Sequence, residues 1–598
     1  MSKSEPSSSQ DIEKGGPPDK HDPLSRYPTS ASTASSSSTS VVSRLSLSHQ
    51  RTAPPRDYDA HDRVVLERLR TATSIYEATV GNDLDKPRSG SVFGPVFSRI
   101  TSRLPAEEWP EFGGGKGYPP LLPDQASYVV DFTGPDDPMH GQNWPLKKKL
   151  ITAMVLGFTT FVAAWGSSIF SSATSAVSLH FGVSTEVSIL GMSLYVLGFA
   201  FGPLIWAPFS ELKGRKKPIL LGIFGFSIFQ VAVAVAKDIQ TVLIARFFGG
   251  VFASCPVTLV GAVFADLFAQ ETRGTAVAMF SMAVFSGPLF GPIAGGFILQ
   301  NQDLGWRWTE YITALMGFLA LGLCLLFLEE TYPPVILIEK AAHLRRITKN
   351  WGIHAKQEEV SVDLPTLLVK NFTRPIKLLF AEPIIFLISI YTAFVYSILY
   401  LFLVSYPIVF AQVRGWKGGL ATLPFIGMVL GMVMGGGLVI AFQPWTTRRA
   451  NAAGHVLPED RLVPCIIGSI FFPIGLFWFS WTGADPNIHW IVPTLGGVPF
   501  GFGIIIIFLQ CLNYLIDAYL NFAASAIAAN TILRSALAAG FPLFGRFMFE
   551  PKPEGALGVG WAGSLLAFLA VAMIPIPVYF FLNGAAIRKK SKWAPTDK

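Results

Sequence analysis

The chain has 598 residues, and only 15% of them are charged, against about 25% in an ordinary soluble domain. Of its 87 Lys, Arg, Asp and Glu residues, 37 lie in residues 1–149. Hydrophobic residues make up 51% of the chain and the mean hydropathy is +0.44. These values exclude a secreted disulfide scaffold, a coiled coil and a mostly disordered chain, and they predict a membrane protein beyond residue 149.

Residues 1–146 are predicted to form a disordered cytoplasmic tail. Its first fifty residues are rich in Ser, Thr and Pro and lack hydrophobic periodicity, so they cannot build a core. No basic segment followed by an apolar run occurs there, so we expect no cleavable signal peptide and an internal first insertion signal.

Beyond residue 149, apolar stretches recur at the length of about 20 helical residues that crosses a bilayer. The sequence predicts twelve such spans, at 150–172, 186–209, 217–236, 239–266, 274–299, 308–328, 381–411, 418–443, 462–482, 488–516, 521–546 and 558–582. We therefore expect an all-α multi-pass membrane protein, with an N-terminal six-helix bundle (147–328), a cytoplasmic central loop (329–380), a C-terminal six-helix bundle (381–584) and a cytoplasmic tail (585–598).

Basic residues near the span ends set the expected orientation. With the start of the first span inside, the inner side collects 24 Lys and Arg residues and the outer side collects six. Both termini are therefore expected to be cytoplasmic. The same bias explains the pI near 9.1, which is no argument for nucleic-acid binding.

Two six-span halves joined by a long inner loop indicate a transporter that handles its substrate between the halves near the midplane. Between the second and third spans, Gly214 permits a tight turn. Glu211 and the cations Arg215 and Lys216 are expected to pair with neighbouring helix ends and so to latch one conformation. The alternative is an ordinary basic loop on the inner side of the membrane.

Arg246 lies about two turns into the otherwise apolar fourth span, where a cation is costly unless it is paired or faces water. Asp266 lies twenty residues later on the same span, about 30 Å away at ~1.5 Å per residue, so the two cannot pair directly. The alternatives are that Arg246 reaches the outer interface and that Asp266 is only a helix-end charge.

The fifth span contains the run GPLFGPIAGG at residues 287–296. Glycines allow close contact between helices, and prolines bend a helix. Packing of small residues alone would not require so many glycines and prolines in one span.

These three motifs resemble signatures of the major facilitator superfamily. The basic loop is similar to G-x-L-a-D-r-x-G-r-k, with Glu211 in the acidic position, but Ala207, Phe209 and Leu212 depart from it, so fewer ionic contacts are expected. The fourth span is similar to l-x-x-x-R-x-x-q-G, whose arginine is implicated in proton coupling. On this resemblance, proton coupling is assigned to Arg246 and, with it, Asp266.

The run in the fifth span matches g-x-x-x-G-P-x-x-G-G, the signature associated with the antiporter branch of the superfamily, at every fixed position. The positions carried over are Gly287, Gly291, Pro292, Gly295 and Gly296. Residues 140–595 resemble the fungal twelve-span drug:proton antiporters, a group of multidrug, polyamine and toxin exporters. The resemblance implies export by alternating access from a monomer in the plasma membrane, with the proton gradient as driving force and no cofactor.

The composition of the spans bears on the substrate. Apart from Asp266 and four carboxylates assigned to span boundaries, Glu186, Glu310, Glu382 and Asp517, the interior has almost no acids, whereas aromatic residues are common. A polyamine needs several carboxylates, and a lipophilic compound needs apolar walls and stacking, so a hydrophobic drug or toxin is preferred to a polyamine. The cavity candidates are Tyr396, Tyr400, Asn513 and Tyr514; the alternative is that these aromatics face lipid or pack.

The sequence contains little that would indicate a soluble enzyme. It has no Walker, dinucleotide or H-E-x-x-H motif, its histidines are scattered, and its four cysteines form no C-x-x-C, so no metal site is expected. The expected partners are a small organic substrate, protons and membrane lipid, without nucleic acid. A non-transporting sensor and a membrane enzyme remain as alternatives.

Overall fold

The computed structural model describes residues 128–134, 136–301, 303–359, 364–453, 457–550, 557–591 and 593–594. The predicted disordered tail therefore lies outside the described residues up to residue 127. Its last part differs from the prediction, because Val129–Val130 forms a short strand and Gly141–Asn143 a turn of 3₁₀ helix.

Within the described residues, twelve helical segments are long and apolar enough to cross a membrane, which confirms the twelve-span prediction. The first six are Leu146–Ser168 continued by Phe170–Phe181, then Thr185–Lys213, Lys216–Ala234, Ile239–Leu267, Gln270–Gln300 and Arg307–Phe327. The other six are Pro383–Pro407 continued by the π-helix Ile408–Val413, then Phe425–Ala453, Leu462–Ala484, Ile491–Ala518, Ala523–Phe549 and Gly558–Met573 continued by Pro575–Lys590.

Local sequence explains several of the helix ends. Ser184 accepts a hydrogen bond from the Val187 N–H and so begins the second span, and the Asp238 carboxylate accepts one from the Thr241 N–H and begins the fourth. Gly214, with φ of +84°, ends the second span in a conformation that favours glycine. The turn between the second and third spans therefore lies at Gly214, as the sequence predicts.

The central loop contains more structure than its hydrophilic sequence predicted. Helices occupy Pro333–Thr348 and Leu364–Ala381, and His354–Ala355 pairs in parallel with the strand Val129–Val130. Lys340 also donates to the backbone carbonyl of Asp131. The chain before the first span is thus held against the central loop, a long-range pairing that local composition does not reveal.

Residues of the two bundles meet along the fifth and eighth spans. A Cβ built on Gly296 would lie 2.7 Å from the Thr422 hydroxyl, and one built on Gly274 would lie 2.8 Å from the Gln443 amide. Near the predicted outer surface, Arg546 of the eleventh span lies 3.3 Å from Glu186 of the second. The contacts between the bundles therefore run along the length of the fifth and eighth spans.

Candidate functional site

Arg246 of the fourth span is fully buried inside the N-terminal bundle. Its guanidinium donates to the backbone carbonyls of Gly166 (3.0 Å) and Gly191 (3.2 Å), and lies over the rings of Phe170 and Tyr195. One arginine thus joins the first, second and fourth spans. The alternative in which Arg246 reaches the outer interface is wrong in this structure.

The counter-ion of Arg246 is Glu310, whose Oε1 lies 3.5 Å from Nη1 and which is also fully buried. The sequence places Glu310 at a span boundary, and it does lie in the first turn of the sixth span, but its side chain turns inward and is buried. Among the described residues, the other carboxylate oxygen of Glu310 and Nη2 of Arg246 have no hydrogen-bond partner. An incompletely satisfied buried carboxylate is a group that can take up a proton.

Asp266 lies in a different cluster at the predicted inner end of the same bundle. Its Oδ2 accepts from Arg215 Nε at 3.1 Å, and Arg215 also donates to the Ser210 hydroxyl. The fourth span therefore carries two separate ion pairs, Arg246 with Glu310 and Asp266 with Arg215. The expectation that Arg246 and Asp266 do not pair is confirmed by this geometry.

The latch residues surround a carboxylate that the sequence analysis had not singled out. Glu330, just after the sixth span, accepts from the backbone N–H groups of Arg215 (2.8 Å) and Lys216 (3.2 Å). Its carboxylate fills the space beside Gly214 that a Cβ would need. The loop therefore ties together the inner ends of the second, third, fourth and sixth spans.

Two further contacts complete this inner cluster. The Arg215 guanidinium lies over the ring of Tyr332, and burial raises the pKa of the Tyr332 hydroxyl, which stays neutral. Glu211 is exposed, and its backbone carbonyl accepts from the Gln357 side chain at 3.1 Å. The inner cluster is thus connected to the central loop as well as to the helix ends.

The glycines of the fifth span lie against the first span. Cβ atoms built on Gly287, Gly291 and Gly295 would come within about 3 Å of backbone atoms of Trp165 and Ile169. Ser172 of the first span donates to the carbonyl of Pro292 at 2.9 Å. The next residue, Gly296, faces the other bundle, so the motif brings one helix close to two partners.

An aromatic cluster lies where the two bundles meet. Tyr396 and Tyr400 of the seventh span, one turn apart, have hydroxyls 3.3 Å from each other, and the Tyr400 hydroxyl lies 2.8 Å from the Ser167 hydroxyl of the first span. Phe285 of the fifth span packs against Tyr396 and against Phe508 of the tenth. Both predicted tyrosines therefore lie inside the protein and not against lipid.

The other two cavity candidates lie elsewhere. Tyr514 is buried against Phe580 of the twelfth span, close to the Glu459–Arg588 ion pair, inside the C-terminal bundle. Asn513 is half-buried on the same turn of helix. The structure does not bring either residue to the tyrosine pair, so the four candidates do not form one cluster, and the assignment of Asn513 and Tyr514 to a substrate cavity stays a prediction.

Sequence analysis missed Arg534 of the eleventh span as a site residue. Its guanidinium lies over the rings of Tyr396 (4.6 Å) and Phe508 (4.7 Å), and the residue is 7% exposed. The available signal was a cation inside a predicted span, the same signal that had pointed to Arg246.

Two adjacent residues of the first span connect Arg246 with the pair Tyr396 and Tyr400. Gly166 accepts from Arg246, and Ser167 bonds to Tyr400 of the other bundle. A change around Arg246 therefore acts one residue away from a contact between the bundles.

Twelve membrane-crossing segments in two halves, with an aromatic cluster where the halves meet, are typical of a membrane transporter. The sequence profile described as Major Facilitator Superfamily matches residues 156–542, and the chain belongs to that family, so it is a transporter and not an enzyme.

Fungal relatives are similar over most of their length. The uncharacterized transporter C36.03c of Schizosaccharomyces pombe is 51% identical over 480 residues, 80% of this chain and 88% of the relative. The multidrug transporter TPO1_2 of Candida glabrata is 46% identical over 532 residues, 88% of this chain and 90% of the relative. The resemblance to the fungal drug transporter group is thereby confirmed.

Solved structures support the fold. The xylose transporter XylE from E. coli superposes with a TM-score of 0.52 at 16% identity, over 73% of this chain and 98% of XylE. At this level of identity, the likeness bears on the arrangement of the helices and not on the substrate.

Proposed function

We propose that this protein is a proton-coupled antiporter that exports hydrophobic or amphipathic organic compounds by alternating access. The observation that carries the proposal is the fully buried pair of Arg246 and Glu310, which lies among the helices of the N-terminal bundle. Buried ionisable residues inside a membrane are costly, and they commonly lie on ion or proton pathways.

In the proposed cycle, Glu310 gains and loses the proton, because an arginine side chain stays charged. Protonation of Glu310 removes the negative charge 3.5 Å from Arg246 and leaves its guanidinium held by the carbonyls of Gly166 and Gly191. The first span then relaxes around Gly166, and the neighbouring Ser167–Tyr400 contact between the bundles weakens. Proton binding thereby favours separation of the bundles at this contact.

We assign the inner cluster of Arg215, Asp266 and Glu330 the role of a conformational latch. Its contacts join the inner ends of four spans, so that the N-terminal bundle moves as one unit. Asp266 thus serves the latch, while its predicted part in proton coupling stays a proposal alongside that of Glu310. The close-packed fifth span, which touches both bundles, would keep their junction tight during the cycle.

Export of lipophilic compounds is supported by the aromatic cluster and by the similarity to a relative that is named a multidrug transporter. A polyamine exporter is the second candidate within the family. It is less favoured, because the charged side chain that contacts Tyr396 is the cation Arg534, which would repel a polycation.

The proposal includes the plasma membrane as location, both termini in the cytoplasm, and a monomer that exchanges a small organic molecule for protons. Protease accessibility of the two termini in intact cells tests the orientation. Shielding of both termini is expected, and cleavage of either terminus contradicts it.

Transport in proteoliposomes tests the function itself. With an imposed pH gradient, purified protein should move a lipophilic dye against its concentration gradient, and a protonophore should abolish the uphill movement. Normal dye binding without flux would favour a non-transporting sensor. Movement of spermidine without movement of the dye would favour the polyamine exporter.

A further inference from the structure

Arg534 is a buried cation that has no anionic partner within the part of the chain that the structure describes. Among the residues that the structure describes, no carboxylate forms an ion pair with it, and its Nε has no hydrogen-bond acceptor. The other buried arginines on the described spans are paired, as Arg246 is with Glu310 and Arg588 is with Glu459. Arg534 is therefore unlike the other charges of the membrane interior.

The position of Arg534 connects it to the junction of the bundles. It contacts Tyr396 and Phe508, and both of these rings pack against Phe285 of the N-terminal bundle, with ring centroids 6.0 and 4.5 Å apart. Phe285 lies on a different bundle from the two rings that it covers. Separation of the bundles in alternating access would therefore withdraw Phe285 and uncover the rings beside Arg534.

A desolvated guanidinium costs free energy, and contact with two aromatic faces offsets only part of that cost. A planar, forked cation is best satisfied by a carboxylate or a similar oxyanion, which accepts two parallel hydrogen bonds. The flanking rings offer faces for stacking with an aromatic body. The missing partner is thus an anionic group carried by an aromatic molecule.

We infer that Arg534, Tyr396 and Phe508 form a binding site for amphipathic aromatic anions, in which the anionic group of the substrate is the counter-ion of Arg534. The inference rests on the proposed function and narrows its substrate class. It predicts that the exporter prefers organic carboxylates to lipophilic cations as substrates. A cation bound here would lie beside the unneutralised positive charge of Arg534.

Two dyes with the same three-ring skeleton test the inference. Fluorescein is anionic and rhodamine 123 is cationic, so their comparison isolates charge from ring size. Binding to the purified full-length protein in detergent is measured by fluorescence polarisation, and transport of each dye is measured in proteoliposomes. The variants are Arg534→Gln, Arg534→Lys and a control, Arg449→Gln, which removes an arginine that lies over Trp445 but pairs with Asp460 at the edge of the eighth span.

The wild type and Arg449→Gln should bind fluorescein more tightly than rhodamine 123. Arg534→Gln should weaken fluorescein binding by about tenfold or more while rhodamine 123 binding is unchanged or stronger, and Arg534→Lys should retain part of the preference. Equal fluorescein affinity in the glutamine variant, or an equal loss of both dyes, would overturn the inference.

If Arg534→Gln does not fold, the wild type still decides the matter, since fluorescein binding that is no tighter than rhodamine 123 binding contradicts an anion site. The two proposals fail separately. Proton-driven export of rhodamine 123 without fluorescein binding refutes the anion site alone, whereas Arg534-dependent fluorescein binding without proton-driven flux refutes the antiporter alone.

Discussion

The Arg246 guanidinium on the fourth span lies 3.5 Å from the Glu310 carboxylate on the sixth, and both side chains are fully buried. Removal of one partner from a buried ion pair typically costs about 3–5 kcal/mol, because the other charge is left uncompensated. The pair therefore contributes to the stability of the bundle as well as providing a site for a proton. Experiments on it have to separate these two effects.

Glu310→Gln tests the proton site. The amide keeps the size of the side chain but cannot take up a proton, so we expect uphill transport driven by a pH gradient to be lost while exchange of substrate for substrate persists. Both rates can be measured in proteoliposomes with one dye. Retention of proton-driven accumulation at the wild-type rate would show that Glu310 is not the coupling carboxylate.

Arg246→Ala should abolish transport and also lower the thermal stability of the purified protein, because it removes two hydrogen bonds to backbone carbonyls and the partner of Glu310. Arg246→Lys keeps the charge but not the planar fork, so partial activity is expected. Combining Arg246→Ala with Glu310→Ala should recover part of the stability but none of the coupling. If the Arg246→Ala variant is as stable as the wild type, Arg246 does not stabilise the bundle.

The latch can be tested by exchanging charges. Arg215→Asp should slow transport, and the double variant Arg215→Asp/Asp266→Arg should restore part of the rate, because the two side chains form a hydrogen-bonded ion pair at 3.1 Å. Lys237→Asp, in the connection between the third and fourth spans, controls for a change of charge outside the cluster. Equal rates for the single and double exchanges would mean that this pair does not act as a latch.

Gly291→Leu should block transport, because a Cβ at this position already meets Ser168 and lies 3.0 Å from the backbone nitrogen of Ile169. Gly291→Ala should be tolerated better, because it needs only a rotation of the Ser168 hydroxyl and a small adjustment of the first span. Gly322→Leu is the matched control, since a Cβ there would have no atom of the described residues within 4 Å. Normal proton-coupled transport by Gly291→Leu would show that close packing of the fifth span against the first is not needed for transport.

The sequence predicts the features of this protein that depend on local interactions, but not those that depend on contacts between distant parts of the chain. The spans follow from local hydropathy, and the Gly and Pro run already indicates a tightly packed helix. The burial of Glu310 was missed because this residue lies at the start of the sixth span, three residues after Arg307. Only its ion pair with Arg246 and the packing of the sixth span against the first and third show that it is buried. The missing partner of Arg534 and the pairing of Val129–Val130 with His354–Ala355 likewise depend on contacts between distant parts of the chain.

The hydrogen bond between Ser167 and Tyr400 joins the two bundles at 2.8 Å, so it has to break if they separate there. Its net contribution should be about 0.5–1.5 kcal/mol, which corresponds to a population shift of about two- to twelvefold. Ser167→Ala and Tyr400→Phe should each shift the equilibrium by this amount toward the separated state. The double variant should add little to either change, because both remove the same bond.

Spin labels on cysteines introduced at Leu179 and Lys417, two exposed positions at the predicted outer ends of the bundles, report the separation as a distance distribution. Both single variants should increase the longer-distance population, and Thr174→Ala, which removes a hydroxyl bonded within its own helix, should not. Additive effects of Ser167→Ala and Tyr400→Phe would indicate that each hydroxyl acts through other partners. An unchanged distance distribution in both single variants would show that the bond does not hold the bundles together.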